Sequence, residues 1–297
     1  MTLQVTVPAG PPARGTLSLR KSVDKLSDAE LANLRQAFAG AMALDDDRGF
    51  SYFAGWHGEP FNWCEHHTSL FLPWHRQYLY YFELALQAIV PGVTLPWWDW
   101  TVSDSIPAAY GVDSRAPDNP LLVSQVRIYR SGQSEPAPPR TPGQNPGVPP
   151  LPYQDDWNQA MAATSFAEFQ TAIEQVHDNV HVWVGGIMQD IQSAAYDPLF
   201  FAHHAMIDRS WRLWQTQNPG ATPAATLLDN GLRPNGMTVR QTLDVTQLGY
   251  EYAGTAAEAP GPTAPNGTAA ATPADASTQT SAPGPGDRPH TPSEGSF

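Results

Sequence analysis

Apolar residues recur at helical spacing in four stretches of this chain. Ser27-Asp28-Ala29-Glu30 opens the first: the Ser27 hydroxyl can cap, Glu30 can reach back, and Leu31, Leu34 and Phe38 follow at three- and four-residue intervals. The second follows His75, over residues 76–87, and ends before Pro91. The third covers residues 166–181, with Phe166, Phe169, Ile173, Val176 and Val180 in register and Gly185-Gly186 as the stop. The fourth begins at Asp197-Pro198, where proline fits a first turn, and runs through His204, Ile207, Trp211 and Trp214. Strand signals are confined to residues 3–7 and 17–19. The pattern predicts a mainly α architecture with long loops and few short strands.

Prolines divide the chain. Eight of the 22 residues 131–152 are proline, which fixes φ and cannot donate to a ladder, so this segment reads as an extended surface excursion. From residue 254 the chain is Ala, Pro, Thr, Ser and Gly, and Phe297 is its one large apolar side chain. Such a segment buries too little to offset its ordering entropy. The expected organisation is one domain over 1–253 and a disordered tail over 254–297, with no internal repeat.

Composition narrows the function. Hydrophobic residues make up 41% and there are ten Trp, enough for a substantial core. Against 16 Lys+Arg stand 29 Asp+Glu, a net charge of −13, which disfavours a phosphate backbone and excludes nucleic acid as the expected partner. No apolar run reaches the ~18 residues of a membrane span. Residues 1–12 lack a basic stretch followed by an apolar one, so no signal peptide is expected. Cys64, the single cysteine, excludes intrachain disulfides and a thiolate zinc cage.

Imidazole is the remaining chemistry. Eight of nine histidines fall in two clusters: His57, His66, His67 and His75, then His177, His181, His203 and His204. His177 and His181 are four apart on an expected helix and so share a face. His204 follows on the next helix, with Asp208 four residues on, where a carboxylate can orient a ring or brace a neighbour. Two sets of three imidazoles favour a dinuclear centre over a single catalytic zinc; zinc, copper, iron and nickel all accept such donors.

The wording around these histidines resembles a family. His57-Gly58-Glu59-Pro60-Phe61-Asn62-Trp63-Cys64-Glu65-His66, then Ser69-Leu70-Phe71-Leu72-Pro73-Trp74-His75-Arg76 and Glu83, resembles the CuA region of the type-3 copper proteins: tyrosinases, catechol oxidases and molluscan-type haemocyanins. His177-Asp178-Asn179-Val180-His181-Val182-Trp183-Val184-Gly185-Gly186, then Asp197-Pro198-Leu199-Phe200-Phe201-Ala202-His203-His204 with Asp208, Arg209 and Trp211, resembles the CuB region. The match spans 20–252, and motifs of this length in this order are specific. It implies a central four-helix bundle around two copper ions, with dioxygen as co-substrate and a small phenol as substrate. By family spacing the ligands are His57, His66 and His75 for CuA, and His177, His181 and His204 for CuB. His67 and His203 are then neighbours that do not ligate.

Further roles follow from the resemblance. Cys-x-His at His66 resembles the pattern in which sulfur bonds the imidazole carbon, implying a Cys64–His66 thioether; a small buried hydrophobe is the plainer fate of such a cysteine. Hydroxylation of a monophenol needs a base within reach, directly or through a water. Glu174, three residues before His177 and on its face, is preferred to Glu168. Asp178 stands where hydroxylating bacterial relatives usually carry Asn, with Asn179 one further. It could take a phenolic proton, hold a water or alter substrate choice. Ile191 and Asn179 are expected to border the substrate, Phe200 and Trp183 to wall the imidazole rings, and Asp208 to lie behind them. Trp97-Trp98-Asp99-Trp100 reads as scaffold, and Arg20 with Tyr250-Glu251-Tyr252 as a tie between the chain's two ends.

The function expected is tyrosinase-like oxidation of phenols. Catechol-only or o-aminophenol oxidation is the alternative within the enzymes, oxygen carriage a more distant one, and a zinc or iron hydrolase a rival outside the family. Against oxygen carriage, the 44 residues after Ala253 cannot supply the C-terminal β-sandwich of molluscan units. A copper-delivery protein is a candidate partner, and the location is read as cytoplasmic or exported with a partner.

Overall fold

The computed structural model describes residues 17–112, 118–122 and 125–254. The expected strand at 3–7 and the tail from 255 onward lie outside the described residues.

Six main helices form: α1 (Asp28–Met42), α2 (Phe50–His57), α3 (Phe71–Ile89), α4 (Gln154–Met161), α5 (Phe166–Val184) and α6 (Leu199–Gln217). α1 opens with the reciprocal Ser27–Glu30 capping box. α2 was not foreseen. Phe50, Phe53, Ala54 and Trp56 are buried on most sides of it, so no polar face marks a helical period. α3 starts at Phe71, ahead of the expected 76, because Pro73 falls in the first turn where its missing N–H has no ladder partner to lose. α4 was also missed, being short and polar.

α5 is capped by Ser165, whose hydroxyl accepts from the Glu168 amide. It stops at Gly185 and Gly186, with φ of 68° and 59°. There a Cβ would overlap Thr141 and the Pro139 carbonyl, so glycine is required twice over. Those contacts belong to the proline-rich excursion, which is exposed yet fastened. The Thr141 and Gly143 amides donate to Val184 and Trp183 carbonyls at 2.9 and 2.8 Å. Arg140 forks onto Asp197, with its Nε and Nη2 2.8 and 2.6 Å from the two carboxylate oxygens. Asp197 also accepts the Leu199 amide, the first of α6, at 2.9 Å.

α3 packs on α6 and α1, and α5 on α6 and α4. The strand segments are few. Ser18–Arg20 pairs in parallel with Tyr250–Tyr252, placing Arg20 opposite Tyr252. Beneath this pairing is a buried polar network: Arg20 binds Glu83 at 2.9 Å, Asp208 at 3.3 Å and the Tyr252 hydroxyl at 2.9 Å, with its guanidinium over the Tyr250 ring. Asp208 also accepts from Arg76 and from the hydroxyls of Tyr250 and Tyr252. Asp99, in the Trp-rich segment, accepts the Thr101 hydroxyl at 2.5 Å.

Burial alone would raise the Asp208 carboxyl, but Arg76, Arg20, Tyr252 and Tyr250 together hold it below its ordinary value. Its stabilising contribution is therefore complete above an unfolded pKa of ~3.9 and is lost as pH falls through the lower folded value. Asp208→Asn, which leaves buried guanidinium charge uncompensated, should cost about 3–5 kcal/mol at neutral pH in urea unfolding. The variant should also lose less stability than the parent on acidification below ~pH 4.

Candidate dicopper centre

α5 delivers His177 and His181 one turn apart, both fully buried, and α6 delivers His204 across from them. The His204 Nε2 lies 3.2 Å from Nε2 of His177 and 3.2 Å from Nε2 of His181. Three nitrogens bonded tetrahedrally to one metal at ~2.0–2.1 Å stand ~3.3–3.4 Å apart, so these already hold ligand spacing.

The tautomers make that spacing informative. His181 Nδ1 is 2.8 Å from the Met188 carbonyl, which can only accept, so Nδ1 carries the proton and Nε2 presents a lone pair. His177 Nδ1 is likewise 3.0 Å from Asp178 Oδ1. The Nε2 lone pairs of His177 and His181 thus both face the His204 Nε2, an arrangement from which three imidazoles can hold one cation.

The second triad is built from the end of α2, a loop and α3. His57, His66 and His75 have ring centroids 5.0–5.6 Å apart and ligand-capable atoms within 4.8 Å. His75 Nδ1 is 2.8 Å from the Phe71 carbonyl one turn back, and its buried Nε2 meets no protein partner. The two triads abut, with the His75 and His204 rings stacked at 4.5 Å. Desolvation, reinforced by neighbouring imidazoles, holds all six rings well below their ordinary pKa, His75 at about 3. Neutral imidazole is the form a metal binds. The residues present fit two metal ions preferring nitrogen donors.

Ring walls hold the angles. Phe200 lies 4.0 Å from His204, 4.7 Å from His57 and 5.7 Å from His181. Phe71, which the sequence did not single out, lies 4.7 Å from His75 and 4.9 Å from His177. Its signal was available, since a residue four before a helical histidine can offer its carbonyl to Nδ1. Trp183 does not share this duty: its ring sits against Trp98 at 6.2 Å and against Gly143.

Several expected roles move. Asp208 does not orient His204, because its oxygens are committed to Arg20, Arg76, Tyr250 and Tyr252; it fastens Arg76, the neighbour of His75. Glu168 is exposed in the Ser165 cap, accepting that hydroxyl at 2.8 Å, and takes no part in the centre. Glu174 is buried, and its Oε1 accepts the His67 amide at 2.6 Å. Burial raises its pKa and Asp178 adds to this, while the His67 bond opposes them; the result is about 8. Burial pushes Asp178 up to about 7. One Asp178 oxygen turns the His177 ring, and the other lies 4.0 Å from His67 Nε2.

His67 itself points outward, with 70% of its side chain exposed and φ at 53°. His203 is fully buried, parallel to His177 at 5.1 Å and edge-on to His181 at 4.7 Å, and its ligand-capable atom belongs to the same group as the α5–α6 triad. Asn179 and Ile191 are half-buried, the Ile191 side chain against the core. Cys64 is half-buried two residues before His66, and burial, foremost, pushes its thiol up to about 12.

Comparison with known proteins agrees with this centre. The family model for the common central domain of tyrosinase matches residues 47–217. The chain belongs to the tyrosinase family of type-3 dicopper proteins, which bind two copper ions through such histidine groups and use dioxygen. It is 31% identical over 221 residues to haemocyanin units G and H of Sepia officinalis, covering 66% of this chain and 37% of that one. It is 31% identical over 217 residues to a tyrosinase of Streptomyces antibioticus, covering 61% and 78%. Among solved structures, an octopus haemocyanin functional unit superposes with a TM-score of 0.68 at 27% identity, covering 79% of this chain and 68% of that one. A Burkholderia thailandensis tyrosinase shares the fold, with a TM-score of 0.62 at 22% identity over 82% and 76%. The chain spans little more than a third of the cuttlefish protein and 6% of a Megathura crenulata haemocyanin. Among the described residues, no helix is long and apolar enough to cross a membrane.

The ligand set can be tested directly. Metal-free protein should take up two copper ions per chain, measured by elemental analysis. His204→Gln should hold only one, whereas His203→Gln should retain two; a single ion in the His203 variant would move that residue into the coordination shell.

Proposed function

We propose that this chain is a phenol oxidase that hydroxylates monophenols and oxidises o-diphenols to o-quinones. The observation that carries this reading is a buried carboxyl, Glu174, placed one turn before His177 beside two facing imidazole triads. An oxygen carrier needs no proton acceptor there, whereas phenol hydroxylation does.

In this reading His57, His66 and His75 hold one copper ion and His177, His181 and His204 the other. When bound, the pair supplies the electron transfer to dioxygen. The protein supplies position and dryness. Phe71 and Phe200 keep water from the inner faces of the rings. Carbonyls of Phe71 and Met188, with the Asp178 carboxylate, fix the direction of Nε2 in His75, His181 and His177. Asp178 thus serves His177 first, and substrate charge only through its second oxygen. Glu174, oriented by the His67 amide, takes the phenolic proton directly or through one water. Asn179 and Ile191 border the substrate, and His66, partly exposed beside the outward His67, marks the side from which a phenol enters.

Copper-loaded protein should turn over both a small monophenol and the matching catechol, followed by quinone absorbance. Glu174→Gln keeps an oxygen for the His67 amide but cannot accept a proton. Its monophenol rate should fall about 100-fold or more while catechol oxidation changes little. Equal losses on both substrates would remove Glu174 as the base. Oxidation of the catechol alone by the parent would make the chain a catechol oxidase. Reversible oxygen binding without turnover of either, the reading favoured by the cuttlefish and octopus relatives, would make it a carrier.

Cys64 completes the proposal as a thioether to the His66 ring carbon. The S–H and C–H hydrogens leave as two protons and two electrons, the electrons passing to dioxygen. The crosslink restrains a ligand that sits on a loop. Intact mass of copper-loaded protein should be two hydrogens below the sequence value, and an alkylatable thiol after loading would exclude the bond.

A further inference from the structure

The turn-rich segment that follows α5 touches a ring of one triad and the backbone beside the other. The Met188 carbonyl accepts from His181 Nδ1 at 2.8 Å. Four residues on, the Gln192 carbonyl accepts the Glu59 amide at 3.0 Å and lies so close to Gly58, which follows His57, that a Cβ there would overlap it. From the other side, the Tyr196 hydroxyl donates to the Glu59 carbonyl at 2.7 Å.

The segment is stiff along its length. The Asp190 amide donates to Ile187, and the Ser193 and Ala194 amides both donate to the Asp190 carbonyl, at 2.8–3.1 Å. The Asp190 side chain accepts the Gln192 amide at 3.1 Å and the Ser193 hydroxyl at 2.8 Å, closing the turn from outside. A push at Gln192 therefore has no slack in which to dissipate before it reaches Met188.

We propose that residues 188–192 form a strap that ties the orientation of the His181 imidazole to the backbone that follows His57, with Gly58 as the contact that seats it. The inference rests on the copper reading of the six histidines and adds a mechanical link between the two metal positions. Because the contacts at Met188 and Gln192 are made by carbonyls, the side chains at 188 and 192 are not what the strap requires. The requirement falls on Gly58, which lies immediately after a ligand of the other triad from His181.

The test is Gly58→Ala, read in two ways. First, metal-free protein is titrated anaerobically with Cu(I) against a chromogenic chelator. The parent should bind two equivalents, and the variant should bind both more weakly, by about 10–100-fold, as loss of ligand-orienting contacts does. Second, nitrogen-15 NMR of the metal-free protein reports ring tautomers. His181 should be Nδ1-protonated in the parent and should lose that preference in the variant, although the substitution is on the far triad. Parental affinity at both positions, weakening of one equivalent alone, or unchanged His181 signals would each overturn the strap while leaving the copper reading intact. A parent chain that binds fewer than two equivalents would overturn both. If Gly58→Ala does not fold, Tyr196→Phe, which removes the outer fastening with little change of volume, decides. It should shift both equivalents in the same direction by a smaller factor, and no shift at either overturns the proposal.

Discussion

The centre of this protein is a convergence of buried, neutral imidazoles. Carbonyls and a carboxylate hold the Nδ1 protons of His75, His181 and His177, which turns their Nε2 lone pairs inward. Burial keeps the rings neutral, the form that offers a lone pair to a metal. A cation is the natural occupant of such a space, and the remainder of the fold is what keeps the rings from turning away from one another.

That restraint comes from outside the centre. Arg76 follows His75 directly, and Asp208 lies one turn beyond His204, so their ion pair staples α3 to α6 close to the stacked His75–His204 pair. Arg20, Glu83 and the tyrosines of the Tyr250–Tyr252 strand join both ends of the described chain to that staple. Asp197 and Arg140 do a related job at the start of α6, binding the proline-rich excursion to the helix that carries His204. Charged groups this deep are weak evidence for net stability, since desolvation offsets much of their attraction. Their contribution is angular: a network with fixed geometry leaves two helices few ways to slide.

How much was legible in the chain varies by the type of signal. A capping box gave α1, and three-four spacing gave α1, α3, α5 and α6. α2 lacked a wet face, so its periodicity was invisible. Glu174 was preferred over Glu168 on helical facing, and the structure puts the first in a buried site and the second in an exposed cap. Trp183 was expected to wall the rings or pack in the core, and Asp208 to orient a ring or brace a neighbour. Each faces other partners in space, since helical proximity does not say toward which neighbour a side chain turns. Phe71 and Met188 orient rings through their carbonyls, and a carbonyl leaves no trace in residue type.

Residue type and spacing alone set the donor chemistry: imidazoles clustered in two sets, their order, and the helical step that lets His177 and His181 share a face. These follow from covalent spacing and local geometry. Packing between distant elements settles which ring nitrogen His75, His177 and His181 present, how near the sets stand, and that His67 turns to solvent while His203 is stacked inside. Those properties depend on hydrogen bonds and packing between elements far apart in the chain, and such contacts exist once the helices have met.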